Sequence, residues 1–307
     1  MNLAQLGSAG AGGARRFVGM LSVAALLPLA ATAQTNDFVQ GTASSLANQL
    51  INGSNITLSG SPVLSGPASA TSTFTNLDAG VLPGNLPLTL PSGVFISIGT
   101  ATGTLTGDTN GGFSGGTLFQ GDTDLQNLLN SKSINATVTD TTYLQFDFTV
   151  PPGRTSVNLD FIFASQENPT SNWDIAGVFV DGVNYAFMPN GAVLRVYSGA
   201  NIVAYTSPNF SDWQSWSRRQ TLVGLLNPNL SVHTLKIAVA NTDDNEVPTG
   251  IFVANLAAGT GTTGGVGQST GSANTAIPTL SEWGVIVLSA CLALLGLGRM
   301  LRQSRQA

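Results

Sequence analysis

Charged residues are scarce in this chain, because Asp, Glu, Lys and Arg together make up only 9% of its 307 residues. Between Gln34 and Ala276 there are six cations and fifteen acids, which gives this stretch a net charge of minus nine. Such a surface repels phosphate backbones, so the sequence excludes nucleic acid as a partner. Gly, Ser, Thr and Asn are abundant instead, and a surface wetted by their hydroxyls and amides is typical of an exported β-protein.

Cysteine and histidine occur once each, as Cys291 and His233. Cys291 lies in an apolar run near the C-terminus, so the rest of the chain has no disulfide and no thiolate chemistry. A Ser-His-Asp triad would have to use His233, which directly precedes an apparent strand and is far from any G-x-S-x-G signature. We therefore predict a strand-end histidine. One His and one Cys also exclude the usual zinc sites.

Carboxylates leave one enzymatic alternative open. Glycoside hydrolysis needs only two of them, and Asp160, Glu167 and Asp174 are available by composition. Asp160, however, is predicted on the outward face of a strand, and nothing in the sequence fixes the distance between the other two. We therefore predict that the protein is not an enzyme and has no catalytic residue.

The first long apolar run lies near the N-terminus, where Arg15 and Arg16 precede the stretch FVGMLSVAALLPLAA. The small residues of Ala31-Thr32-Ala33 fit a signal-peptidase site. We predict a signal peptide over residues 1–33, cut after Ala33 and recognised by the general secretory translocon. The adjacent arginines also permit the twin-arginine route, to which ARRFVGM is a poor match.

The second long apolar run, from Trp283 to Gly298, has sixteen residues without a charge. As a helix it would be about 24 Å long, against a hydrocarbon core of about 30 Å. Trp283 at one interface and a snorkelling Arg299 at the other extend its reach, so we predict a single transmembrane helix over about 283–298. Arg299, Arg302 and Arg305 then form a basic cytoplasmic tail.

The residues just before this helix are suited to recognition. Pro278 lacks a backbone donor and biases Ile277 away from the helical conformation, so the segment should stay extended and fit a protease groove. Ser281 can cap the helix, and Glu282 lies in its first turn, where the helix dipole favours an acid.

Residues 277–307 resemble the IPTL-CTERM sorting domain of Gram-negative bacteria, because a motif, an apolar helix and a basic tail follow one another at the C-terminus. The motif residues are Ile277, Pro278, Thr279, Leu280, Ser281, Glu282 and Trp283. The resemblance implies recognition by an exosortase, a membrane-embedded sorting enzyme. The alternative is that Pro278 and Ser281 only start the helix.

The middle of the chain, residues 34–256, predicts a mainly β ectodomain. In TYLQFDFTV the apolar residues Leu144, Phe146 and Phe148 alternate with polar ones, and SVNLDFIFA repeats the pattern. Because Pro151-Pro152-Gly153 joins the two runs, we predict that they form an antiparallel pair. Many short strands with polar turns predict an antiparallel β-sandwich, jelly-roll-like, with one or two short helices at GTASSLANQLI and DLQNLL.

Residues 257–276 are rich in Gly, Ser and Thr and carry no charge. They predict a flexible linker that separates the ectodomain from the sorting segment.

The ectodomain resembles the choice-of-anchor L domain. The likeness rests on GDTDLQNLL (Gly121 to Leu129), on the segment from Leu144 to Pro189 and on HTLKIAVANTDDNEVPTGIFVANL (His233 to Leu256). That family carries a common ectodomain on different C-terminal anchors, which agrees with a chain that ends in a sorting segment. The family often has two acids after its FAS stretch, where this chain has Gln166-Glu167.

Calcium is the one cofactor that the sequence admits, although we predict none. Ca²⁺ takes carboxylate, amide and carbonyl oxygens that cluster in loops, and NTDDNEVPTG places Asp243, Asp244 and Glu246 between two strands. Asp122 and Asp124 form a second acidic pair. Neither stretch matches an EF-hand loop, so we favour solvated acidic turns, with Asp122 or Thr123 as a helix cap.

Trp213 and Trp216 lie three residues apart, with Arg218 and Arg219 behind them. The two tryptophans could stack on sugar rings, but packing against the sandwich is the favoured interpretation.

These observations predict an exported bacterial protein, secreted or on the cell surface, with a role in adhesion or the extracellular matrix. The translocon would export it, inner-membrane lipid would hold its helix with the ectodomain in the periplasm, and the exosortase would then process or sort it. The alternative is a secreted calcium-dependent glycan-binding module or carbohydrate-active enzyme with a polysaccharide ligand.

Overall fold

Two antiparallel β-sheets make up most of the structure. It is a computed structural model that describes residues 37–101, 121–167, 174–196, 202–243, 247–268 and 270. The predicted mainly β sandwich is thereby confirmed, with two short helices, α1 (Ala43–Ile51) and α2 (Thr123–Ser131), in the described part. A short 3-10 turn covers Ala68–Ala70. The strands are β1 (Asp37–Gln40), β2 (Thr57–Ser65), β3 (Thr71–Leu82), β4 (Leu86–Ser97), β5 (Val138–Thr149), β6 (Ser156–Ser165), β7 (Ile175–Val180), β8 (Val183–Asn184), β9 (Leu194–Arg195), β10 (Ile202–Ala204), β11 (Ser215–Ser217), β12 (Gln220–Leu225), β13 (His233–Thr242), β14 (Thr249–Gly259) and β15 (Gly265–Val266).

The two sheets differ in size, and we call them the large sheet and the small sheet. The large sheet has the order β1-β3-β4-β14-β6, and β6 then pairs with β12 along its first half and with β11 at its end. β10 pairs with β11, and β15 pairs with β12. The small sheet has the order β2-β5-β13-β7-β8, and β9 also pairs with β7.

The chain crosses between the sheets at many of its connections. β4 lies in the large sheet, β5 in the small one, β6 in the large one and β7 in the small one. The prediction that Pro151-Pro152-Gly153 joins two paired strands is therefore wrong. A paired hairpin would put the apolar faces of β5 and β6 side by side, whereas the crossing lets them face each other across the core, where stacked sheets lie about 10 Å apart.

The inner core fills the space between the sheets. The small sheet contributes Leu144, Phe146 and Phe148, and β6 contributes Phe161 and Phe163, all fully buried or nearly so. These are the inward positions that strand alternation predicted. Helix α1, which was predicted at GTASSLANQLI, packs against this core with Leu46, Ala47 and Leu50 buried and has Thr42 as its N-cap.

A second, aromatic layer covers the outer face of the large sheet. It consists of Phe38, Phe74, Phe95, Phe210, Trp213, Trp216 and Phe252, with Ile162 and Ala164 of β6 beneath it. Trp213 and Trp216 are 1% and 0% exposed, so they pack on the sandwich, as favoured, and present no ring to a sugar. Because β6 has core on both faces, all ten of its residues are buried.

Helix α2 lies on the outer face of the small sheet. Leu125, Leu128 and Leu129 pack there in a cluster with Ile175 and Phe179. The N-cap prediction is confirmed, since the Asp122 carboxylate accepts hydrogen bonds from the backbone N–H groups of Asp124 and Leu125. This cap satisfies donors that the first turn of a helix would otherwise leave without partners.

The ectodomain extends beyond Leu256, its predicted end. β14 runs to Gly259, and β15 pairs with β12 through Leu222↔Val266 and Val223↔Gly265. The linker predicted for residues 257–276 is therefore corrected over its first part, where backbone pairing outweighs the Gly-rich composition. Within the described residues, no helix has the length and apolar character that crossing a membrane requires.

Removing the Phe252 ring tests the aromatic layer, because this ring stacks on Phe95 at 4.1 Å and lies parallel to Trp216 at 6.1 Å between centroids. Phe252→Ala should lower the free energy of unfolding by about 3–5 kcal/mol, through lost burial and the cavity left behind. Urea titration of the purified protein measures this, with Val183→Ala, at a half-exposed site, as the control. A loss no greater than that of the control would contradict the layer.

Candidate functional site

The predicted sorting residues lie outside the described part of the chain, so the structure says nothing of them. They are Ile277, Pro278, Thr279, Leu280, Ser281, Glu282 and Trp283 of the motif, Arg299, Arg302 and Arg305 of the basic tail, and Ala33 at the signal cleavage site. The transmembrane helix predicted at about 283–298 lies outside it as well. These assignments remain predictions.

The calcium interpretation of the acidic turn after β13 rests on three residues, of which the structure describes only Asp243. Its Oδ1 accepts a hydrogen bond from the N–H of Thr137 at 2.9 Å, and its own N–H donates to the Thr137 carbonyl. Its φ of 62° is a left-handed conformation that Asp tolerates. Asp243 therefore serves as a turn residue, and no group of three His, Cys, Asp or Glu side chains that could hold a metal occurs among the described residues.

The second acidic pair, Asp122 and Asp124, binds Lys236 of β13. Lys236 Nζ donates to Asp122 Oδ2 and, at 2.7 Å, to Asp124 Oδ2, and it lies 4.5 Å from the centre of the Tyr143 ring. Burial alone would lower the pKa of Lys236, but the hydrogen bonds to the two carboxylates outweigh burial and raise that pKa above the usual lysine value. This cluster fixes α2 to the small sheet.

His233 is the first residue of β13, as predicted, and is 5% exposed. Its Nδ1 lies 2.8 Å from Asp181 Oδ2. Asp181 also accepts hydrogen bonds from the N–H groups of Thr234 and Asn227. The pair thus joins the tight turn between β7 and β8, at Asp181 and Gly182, to the start of β13.

Asp160 lies on the outer face of β6, yet it is only 7% exposed. Arg219 Nη2 and Thr221 Oγ1 each donate to its carboxylate at 2.5 Å, and Asn255 Nδ2 donates at 2.7 Å. The predicted outward position is therefore covered by partners from β12, from Arg219 just before it, and from β14. The three donors satisfy the oxygens of this buried carboxylate.

The remaining carboxylates of the glycosidase interpretation meet at one end of the sandwich, in a group that we call the end cluster: Ser165, Glu167, Asp174, Asn241 and Thr249. Thr249 Oγ1 donates to Asp174 Oδ2 at 2.5 Å and lies 2.7 Å from Ser165 Oγ. Ser165 Oγ accepts the N–H of Glu167 at 2.9 Å. All five residues are at most 3% exposed.

Sequence reasoning did not single out Ser165, Thr249 or Asn241 of the end cluster, although a signal was available for Asn241. It occupies the position after Leu235, Ile237 and Val239 in the alternation of β13, and those three face the inner core. A polar residue at an inward position was the available signal.

Two family models match the chain, and they confirm both resemblances drawn from the sequence. Residues 32–202 match the Choice-of-anchor L domain, and residues 275–305 match the IPTL-CTERM motif. No curated protein matches the chain. Among solved structures, TmCBM61 in complex with β-1,4-galactotriose is similar at 9% identity and a TM-score of 0.28, over 69% of this chain and 94% of that one.

Replacing Lys236 tests its part in the fold. Lys236→Met should lower the free energy of unfolding at pH 7 by about 3–5 kcal/mol, because Asp122 and Asp124 would keep their charges without the cation. Urea titration measures this, with Lys132→Met at an exposed position as the matched control.

The pH dependence gives a second measurement on the same pair of proteins. Because the pKa of Lys236 is higher in the folded than in the unfolded protein, its ammonium group stabilises the folded state. This stabilisation is fully present below the unfolded pKa, about 10.5, and is lost as the pH rises through the folded pKa. The wild type should therefore lose stability above about pH 10 by an amount that Lys236→Met lacks. Equal alkaline losses in the two proteins would contradict the assignment.

Proposed function

Because the chain belongs to the choice-of-anchor L domain family and carries an IPTL-CTERM motif near its C-terminus, we propose that it is a non-enzymatic bacterial surface or secreted protein with a role in adhesion or the extracellular matrix. The observation that carries the proposal is the presence of both matches on one chain. An exported ectodomain joined to a C-terminal sorting signal needs no chemistry of its own to be placed outside the cell.

The proposed route has three steps. The signal peptide, residues 1–33, takes the chain to the translocon, and the helix at about 283–298 stops in the inner membrane with the ectodomain in the periplasm. An exosortase-type enzyme then reads the motif and releases or transfers the protein. Pro278 supports this order of events, because it keeps the residues before Ser281 extended and therefore accessible to a groove.

The burial of the carboxylates supports a role without catalysis. Asp160 is enclosed by Arg219, Thr221 and Asn255, and Glu167 and Asp174 are 3% and 0% exposed. A general acid or base must come within hydrogen-bond reach of its substrate. These three groups are the ones that the glycosidase interpretation would have used.

We also infer that the sandwich is a jelly roll. The inner strands β4-β14-β6-β12 of the large sheet face β5-β13-β7 of the small one, and the chain alternates between the two sets. That alternation distinguishes a jelly roll from two separately folded sheets.

The sorting proposal predicts that a chain with both Pro278→Ala and Trp283→Ala is exported but not processed. Mass spectrometry of the protein recovered from cells should find the C-terminal peptide retained, and fractionation should find the protein in the inner membrane. Ser272→Ala, just outside the motif match, is the matched control and should be processed like the wild type. Unchanged processing and location of the double variant would rule out recognition of the motif.

A further inference from the structure

The end cluster brings together oxygen-bearing side chains from both sheets. Ser165 ends β6 and Thr249 begins β14 in the large sheet, where the two residues are paired. Asp174 directly precedes β7 of the small sheet, and its Oδ2 accepts the Thr249 hydroxyl at 2.5 Å. Because that contact bridges the two sheets, the Asp174 carboxylate faces the interior of the sandwich.

Glu167 is held at the same end by its backbone. Its N–H donates to Ser165 Oγ, and its carbonyl accepts the Ser215 hydroxyl at 2.6 Å. The preceding residue, Gln166, donates its N–H to the Pro248 carbonyl, beside Thr249. The Glu167 side chain is therefore fixed in a buried position next to the strand ends that carry Ser165 and Thr249.

Asn241 provides an independent observation that points to a ligand. Its side chain is 1% exposed, and within the described part of the chain neither the amide oxygen nor the amide nitrogen has a hydrogen-bond partner. Leaving a buried polar group without a partner destabilises the folded state, so such groups in folded proteins call for a bound water or ion.

The strand register directs Asn241 into the end cluster. Ala240 pairs with Ile175 at the end of the β13–β7 register, and continuing that register by one residue places Asn241 across from Asp174, the residue before β7. Side chains opposite each other in a sheet point to the same face. Both therefore face the interior, where the contact between Asp174 and Thr249 lies.

The donor set of the end cluster is made of hard oxygens: two carboxylates, one amide oxygen and two hydroxyls. Oxygen donors of this kind bind Ca²⁺, which accepts six to eight of them in irregular geometry, whereas Mg²⁺ demands a near-ideal octahedron. His233, the only imidazole, lies at the opposite end of β13. Nitrogen and sulfur ligands, which zinc prefers, are therefore absent from the cluster.

We propose that Glu167, Asp174, Asn241 and Thr249 form a calcium site that joins the large and small sheets at this end of the sandwich. The ion would bind oxygens of the Glu167 and Asp174 carboxylates and the amide oxygen of Asn241. The site differs from the acidic turn at Asp243 that the sequence pointed to, and it does not depend on the sorting of the C-terminus.

Calcium stoichiometry and melting temperature of the purified full-length protein test the site. After treatment with EGTA and gel filtration, the protein should take up one Ca²⁺ per chain. At about 10 mM Ca²⁺, ten to a hundred times the Kd typical of extracellular modules, its melting temperature should rise by roughly 3–10 °C. Mg²⁺ at the same concentration should produce less than about half of that shift.

Two substitutions in the cluster should abolish the calcium response. Asp174→Asn keeps an acceptor for the Thr249 hydroxyl but removes the charge. Asn241→Leu has a similar volume and removes the amide, so in EGTA this variant should melt no lower than the wild type. That comparison keeps the test decisive if Asp174→Asn fails to fold.

Asp243→Asn is the matched control, because Asn retains an oxygen for the Thr137 N–H and tolerates the left-handed conformation. It should keep the full shift. The proposal is overturned if the wild type shows no calcium effect, if Asp174→Asn and Asn241→Leu both keep it, or if Asp243→Asn alone loses it, which would place the ion in the turn.

Discussion

The central strands of the large sheet have core on both faces, and much of the structure follows from that constraint. β6 buries all of its residues between the inner core and the aromatic layer, and β14 contributes to both as well. Such strands must be apolar on both sides, and each polar group on them needs a partner within the protein. Asp160 finds three donors, and Ser165 contacts Thr249 and Glu167. Several of the few charges in the chain consequently lie inside it.

Charged groups thus serve as links in the interior, while uncharged polar groups dominate the surface. Ion pairs involving Asp160 and Lys236 fix strands and a helix to one another, whereas the surface relies on hydroxyls and amides for its hydration. A surface with few charges makes few long-range electrostatic contacts. The proposed adhesive role therefore rests on short-range hydrogen bonding and shape, which suits neutral partners better than charged ones.

Alternation was enough to predict which side chains of β5 and β6 face the inner core, and capping chemistry was enough to predict α2. Which strands pair was not predictable in the same way. Pro151-Pro152-Gly153 is typical of a hairpin turn, but the chain crosses between the sheets there. The first half of β4 was not predictable as a strand, because it contains Pro87 and Pro91. These prolines are tolerated because β14 pairs with β4 only from Gly93 onward, so on that side they need no hydrogen-bond donor. The sequence shows that Asn241 is a polar residue at an inward position of β13. It does not show that Asn241 lies near Asp174, because the two residues are remote in sequence.

The last strand of the described fold has a mechanical consequence. β15 is two residues long and pairs only with β12, while β14, just before it, lies in the middle of the large sheet between β4 and β6. A pulling force on the chain beyond Val266 is borne first by the few hydrogen bonds of this segment, which join β15 to β12, Gly267 to Thr221 and Thr260 to Thr270. These bonds can separate while β14 stays in place, so β15 would yield under load before the sandwich does.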